Sequence, residues 1–246
     1  MLSRRQLLAL STAAGLARCA SPGERERESP SAAGRIDARP SSPATAGARG
    51  SRRIGSGTLY VPESYDPRRA APLIVVLHGA GGAPEGMMRL MRPHAERAGA
   101  IVFGPKSTGA TWDLIQSALG PDVERLDEAL EEVFSRYLID PERIAVSGFS
   151  DGASYALTIG IANGDLFTHI LAFSPGFLNA PAQHGMPRVY VSHGTADRVL
   201  PIDRCSRVLV PRLQSAGYQV IYREFDGPHT VPPDVATEAI DWFASR

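Results

Sequence analysis

Gly148-Phe149-Ser150-Asp151-Gly152 lies between an apolar run, Ile144-Ala145-Val146, and a helix-like run from Ala153 to Ala162. A G-x-S-x-G pentapeptide at such a junction constrains the fold strongly. The chain must turn from strand to helix within a few residues. The serine backbone is then strained, and its hydroxyl stands out at the end of a sheet. The flanking glycines leave room for the neighbouring chain. Such a turn belongs to a sheet whose strands alternate with helices, and the rest of the chain reads that way.

Leu73-Ile74-Val75-Val76-Leu77 is a continuous aliphatic run, as expected for a parallel strand covered on both faces. Pro84 to Ala98 reads as a helix, and Ala100-Ile101-Val102-Phe103 as the next strand. Asp122 to Leu138 carries Val123, Leu126, Leu130, Val133 and Phe134 near helical spacing. Strands are predicted at Arg143 to Val146, Ile170 to Phe173, Arg188 to Val191 and Gln219 to Phe225. Helices are predicted at Arg204 to Ala216 and Asp234 to Ala244. The alternation from Leu59 onward predicts an α/β fold in three layers, a mostly parallel central sheet with helices on both faces. The longest segment between core elements, Ser174 to Pro187, is too short for a large cap domain. Ligands of such sheets bind beyond the carboxyl ends of the strands, where Ser150, Asp197 and His229 would gather.

A serine hydroxyl is a weak nucleophile and needs a base. His229, in Asp226-Gly227-Pro228-His229-Thr230, follows the last strand and suits that role. Asp197, in His193-Gly194-Thr195-Ala196-Asp197-Arg198, is the candidate third member. A carboxylate there fixes the imidazole tautomer and stabilises the imidazolium. Asp226 and then Asp203 compete with Asp197 for the place. His78-Gly79-Ala80-Gly81-Gly82 follows the first long strand, and its backbone amides suit a developing oxyanion. The donors are assigned to Ala80 and Asp151, with Gly81 as the substitute for Ala80. Gly79, Gly81, Trp112 and Phe149 are candidate substrate contacts, and Trp112 reads equally as a core cover. Met87, Met88 and Met91 read as core more than as an adaptable pocket. His78 and His193 read as scaffold, and His94, His169 and His184 as surface or helix residues. Cys205 has no reactive signature. No metal-ligand spacing, P-loop or dinucleotide fingerprint is present, so no metal or cofactor is expected.

At Leu77-His78-Gly79, the serine pentapeptide, His193-Gly194-Thr195-Ala196-Asp197 and His229, the chain resembles the α/β-hydrolase superfamily. The chain order Ser, Asp, His is the one expected there. The likeness spans about Leu59 to Phe243 and is greatest to the phospholipase/carboxylesterase, polyhydroxybutyrate depolymerase and feruloyl esterase group. Ala153 stands where a second glycine is common. The resemblance implies a Ser-His-Asp esterase acting through an acyl-enzyme on short or soluble esters, small or polymeric. A serine peptidase of the same fold and a catalytically silent binding protein are the alternatives.

Lys+Arg and Asp+Glu each number 26, so no basic field favours nucleic acid. Arg4-Arg5 and the apolar run Leu7 to Leu16 resemble a twin-arginine export signal over residues 1–20. Leu16-Ala17-Arg18-Cys19 resembles a lipoprotein box, with Arg18 as a departure. Periplasmic or extracellular placement follows, with membrane contact only through an anchor at Cys19. Residues 21–53, rich in Ser, Pro, Gly and Arg, read as a disordered linker, and 54–246 as the catalytic domain.

Overall fold

The computed structural model describes residue 31 and residues 33–43, 47–116 and 118–245. The export signal and Cys19 lie outside the described residues. One sheet is built from β1 Gly50–Ile54, β2 Gly57–Val61, β3 Ala71–Leu77, β4 Ile101–Gly104, β5 Ile139–Phe149, β6 His169–Phe173, β7 Arg188–Gly194 and β8 Val220–Phe225. The strand order is β1-β2-β4-β3-β5-β6-β7-β8. β1, β2 and β4 pair antiparallel, and every other neighbour pair is parallel. The helices are α1 Pro84–Ala98, α2 Asp113–Gln116, α3 Pro121–Arg136, α4 Asp151–Ala162, α5 Ser206–Ser215 and α6 Pro233–Ala244.

Every residue of β3 and β6 is buried, because helices cover both faces of the sheet. Side chains alternate in direction along a strand, so β3 feeds two cores. Leu73, Val75 and Leu77 pack with Leu130 and Phe134 of α3, Leu157 of α4 and Leu209 of α5. Ile74 and Val76 pack with Met91 of α1 and Ile240 and Phe243 of α6. Each fully buried aliphatic side chain contributes about 1.5–3 kcal/mol relative to exposure. The three-layer expectation is met. Segment 174–187 carries no helix or strand among its residues. Among the described residues, no helix is long and apolar enough to cross a membrane.

The linker expectation fails over its described part. Ile36 is fully buried and Ala38 nearly so. Asn163 binds both sides of Ile36: its Oδ1 accepts from the Ile36 N–H at 2.9 Å, and its Nδ2 donates to the Gly34 carbonyl at 2.7 Å. Asp127 Oδ1 accepts from the N–H groups of Asp37 and Ala38 at 2.9 and 2.7 Å. Arg35 and Arg39 both reach Asp165, at 2.8 and 2.6 Å. β1 and β2, beginning at Gly50, extend the sheet by an antiparallel hairpin. The ordered body therefore begins well before residue 54. Composition misses this because one large apolar side chain, Ile36, and polar groups bonded to backbone do the anchoring, and neither stands out in a segment rich in Ser, Pro, Gly and Arg. His169 also departs from expectation: it starts β6, is buried, and packs edge-on against Trp242 and Phe243.

Ile36→Ala should lower stability by about 2–5 kcal/mol, the cost of emptying a fully buried aliphatic site. A urea midpoint unchanged from wild type would return residues 33–43 to the status of a free tether.

Candidate active site

Ser150 joins β5 to α4 with φ 59° and ψ −120°. Only glycine enters the left-handed region without strain, so this serine is held there by its surroundings. Its N–H donates to the Phe173 carbonyl at 3.0 Å, and its carbonyl accepts from Ala153 and Ser154 N–H at 3.0 and 3.1 Å. The flanking glycines are required by space. A Cβ on Gly148 would stand 2.2 Å from the Gly152 carbonyl oxygen, and one on Gly152 would stand 2.4 Å from that of Leu77. The β3–β5 register, Leu77 beside Gly148, creates this crowding.

β3, β5, β7 and β8 deliver the remaining groups to the same edge. The His229 ring follows β8 and donates from Nδ1 to Asp197 Oδ2 at 2.6 Å. Asp197, after β7, is buried. Its Oδ1 accepts from the N–H groups of Val199 and Leu200, each at 2.8 Å. Burial alone would push this carboxyl up. The donors from Leu200, His229 and Val199 outweigh that effect and hold it below the usual carboxylate range. A second imidazole, His193 on β7, brings Nε2 to 3.1 Å from the same Oδ2. Asp226 is exposed and makes no hydrogen bond to His229, while Asp203 pairs with Arg207 at 2.7 Å. The structure thus joins His229 to Asp197 rather than to either competitor. The Phe149 ring stacks 4.6 Å from the His229 ring, which sets the imidazole beside the elbow.

The glycine-rich turn after β3 packs directly on the elbow. A Cβ on Gly79 would meet the Ser150 Cβ at 3.4 Å. The Gly81 N–H donates to the Ala110 carbonyl at 2.7 Å, which removes Gly81 as a free donor. Among the described residues, the amides of Ala80 and Asp151 donate to no protein acceptor. His78 is buried, its Nε2 accepts from the Ser107 N–H at 3.2 Å, and burial lowers its pKa. Its ring is thus tied to the loop after β4, and the residue also borders the cavity beside the elbow. Thr111 Oγ1 donates to Asp151 Oδ2 at 2.8 Å, a tie that sequence reasoning missed because nothing local marks it.

A cavity of about 560 Å³ opens between this turn, α1 and the His229 loop. Gly79, Met87, Leu90, Phe149 and Val231 line it, whereas Gly81 and Trp112 do not. Met88 and Met91 sit in the core. Trp112 as a substrate wall is therefore corrected. The indole is 1% exposed and stacked between His78 and Tyr155, with centroids 4.8 and 5.0 Å away. Its N–H donates to the His78 carbonyl at 2.8 Å, so it braces the glycine turn from behind. Burial, and then the nearby Asp197, push the Cys205 thiol up, away from reactive thiolate character. Among the described residues, no cluster of three or more His, Cys, Asp or Glu side chains could hold a metal ion.

No protein-family model matches the chain. Feruloyl esterase C of Emericella nidulans is 28% identical over 153 residues, covering 59% of this chain and 56% of that protein. The chain thus spans little more than half the length of this curated relative. Among solved structures, esterase PE8 superposes with a TM-score of 0.63 at 22% identity, over 76% of this chain and 96% of that one. A phospholipase/carboxylesterase from Dyadobacter fermentans gives 0.60 at 21% identity, over 82% and 100%. The fold is that of the α/β-hydrolases, and its likenesses are to esterases.

Trp112→Phe keeps a ring but leaves the buried His78 carbonyl without its donor, so stability should fall by about 1–3 kcal/mol. KM for small esters should stay at the wild-type value. A raised KM with unchanged stability, from kinetics beside thermal unfolding, would restore the substrate-wall role.

Proposed function

We propose that this chain is a serine hydrolase that cleaves carboxylic esters through an acyl-enzyme. The observation that carries the reading is the 2.6 Å bond from His229 Nδ1 to Asp197, at the sheet edge where Ser150 stands strained at its elbow. With Nδ1–H committed to the carboxylate, Nε2 is left as the base. Ser150 Oγ attacks the ester carbonyl and His229 Nε2 takes its proton. The amides of Ala80 and Asp151 stabilise the oxyanion, each worth about 3 kcal/mol of transition-state stabilisation. His229 then protonates the departing alcohol. Water, deprotonated by the same imidazole, attacks the acyl-enzyme, and Ser150 leaves with the proton returned to it.

Segment 174–187 is too short to form a large cap, which favours short or soluble esters, small or borne on a polymer. Gly79 and Phe149 are the substrate contacts of this reading, with Met87, Leu90 and Val231 forming an apolar wall. The feruloyl esterase likeness makes aryl-acid esters natural candidates within that class. Residues 1–20 fit export to the periplasm or beyond, with Cys19 as a lipid attachment point.

Hydrolysis of p-nitrophenyl esters, from acetate to long acyl chains, and of a feruloyl ester tests the reading. Ser150→Ala should lower kcat by about 10⁴-fold or more, and Asp197→Asn by about 10³- to 10⁴-fold. Turnover should fall off for long acyl chains. Activity that survives Ser150→Ala would sink the mechanism. Amide turnover exceeding ester turnover would indicate a peptidase, and a folded protein that takes no fluorophosphonate label would be a silent binder.

A further inference from the structure

Asp197 Oδ2 faces more than the one donor a triad needs. Beside His229 Nδ1 stands Nε2 of His193, a fully buried ring four residues upstream on β7. That same Nε2 lies 2.8 Å from the Leu200 carbonyl oxygen. Two acceptors therefore converge on one ring nitrogen. A lone pair there would oppose both, so Nε2 carries the proton. Nδ1 is then an acceptor, and the Ser206 hydroxyl, 2.7 Å away and buried, supplies its donor. Burial, which lowers the pKa of this ring, keeps it neutral in that tautomer. The Ser206 hydroxyl donates to His193, His193 donates to the Leu200 carbonyl with Asp197 Oδ2 3.1 Å from the same nitrogen, and His229 donates to Asp197. Every proton in the line has one direction.

The geometry points to His193 as a positioning residue for the ester hydrolysis: its Nε2–H, oriented by Ser206, holds the Asp197 carboxylate in the rotation that meets His229. The inference rests on the triad proposed above. The two backbone donors grip only Oδ1. The terminal torsion of an aspartate is broad, and Oδ1 and Oδ2 turn together about it, so a partner on Oδ2 stiffens the same rotation from the opposite side. His193 adds a second constraint, on the working oxygen itself, from 3.1 Å away. The surrounding charges do not replace it: Glu224 is committed to Arg207 at 2.6 Å, and the nearby Cys205 thiol is kept protonated by burial first and by Asp197 second.

The test measures kcat and KM for p-nitrophenyl acetate on the full chain, with unfolding curves for each variant. His193→Phe should lower kcat about tenfold or more with KM within about twofold, the pattern of lost transition-state alignment. His193→Gln, whose amide N–H can reach the Nε2 position, should recover most of that loss. Ser206→Ala should be intermediate, since Nδ1 then loses the donor that orients the ring while the two acceptors still face Nε2. In an Asp197→Asn background, His193→Phe should cost nothing further. A folded His193→Phe with wild-type kcat overturns the inference, and so does a loss that Gln fails to recover or one that persists undiminished beside Asp197→Asn. If His193→Phe does not fold, a wild-type kcat for Ser206→Ala overturns it. Full activity in Asp197→Asn would instead remove the triad itself, and the positioning role with it.

Discussion

The approach of Gly152 to the end of β3 is the constraint on which the site depends. No side chain fits at Gly152, because the carbonyls of Leu77 and His78 occupy that space. α4 can therefore begin directly against the strand that launches the glycine turn. Gly148 and Gly152 approach each other as closely, so the chain reverses within one pentapeptide. Ser150 takes its strained backbone because its N–H and carbonyl are both engaged by neighbours. Strain of this kind costs about 1–3 kcal/mol and persists only where packing over-determines it. Here the packing is a helix buried at every residue from Gly152 to Ala162. An apolar all-round helix of this sort belongs in a core, and its N-terminus can be positioned with little freedom.

Around that junction, a polar framework fixes the loops that apolar packing cannot. Asp122 accepts from the N–H groups of Thr108 and Asp113 at 2.6 and 2.8 Å. Asp113 in turn accepts from Gly120 and Asp122 N–H, both at 2.9 Å. Burial, partly offset by these donors, pushes the Asp113 carboxyl up. The two carboxylates hold the loop after β4 in one shape. That loop then holds the site: Ser107 binds the His78 ring, Ala110 binds Gly81, Thr111 binds Asp151 and Trp112 binds the His78 carbonyl. By occupying the Gly81 amide, the loop leaves the Ala80 amide, of the two, without a protein acceptor among the described residues. The acid side is built the same way, with Asp197 wrapped by its own loop and by His193.

What was legible in the sequence follows this division. Buried strands and amphipathic helices announce themselves by period, and the elements from β3 to α6 fall within a few residues of their predicted bounds, except the single-turn helix α2, which was not predicted. Ser150, Asp197 and His229 could be placed at one sheet edge because each sits in a short motif at the end of a strand. Trp112 could not, since the same residue serves a wall or a brace according to which side of the glycine turn it packs on. His193 was seen as scaffold, but its hydrogen bonds depend on a β7 rotation and an α5 start that no pattern encodes. The α5 region shows the limit in detail: a continuous helix was expected from Arg204, yet a tight turn at Ile202–Arg204 intervenes before Ser206. That interruption is what presents the Ser206 hydroxyl to the His193 ring.

The N-terminal segment carries the same argument to the far end of α4. The helix begins at the elbow and ends at Ala162, where Asn163 turns back to bind the Ile159 carbonyl at 2.9 Å. The same amide grips the chain around Ile36, and Asp165 beyond it takes Arg35 and Arg39. Exposed ion pairs of this kind contribute about 0–1 kcal/mol each, so the Arg–Asp contacts are the weaker part of the clasp. The buried Ile36 side chain and the satisfied Asn163 amide are the stronger part, since an unpaired amide there would cost about 1–3 kcal/mol. A composition rich in Ser, Pro, Gly and Arg thus conceals a clasp on the helix that follows Ser150. The two ends of α4 differ: a strained Ser150 and an Asp151 amide unpaired among the described residues at the N-terminus, where the proposed reaction would use them, and hydrogen-bonded carbonyls at the C-terminus.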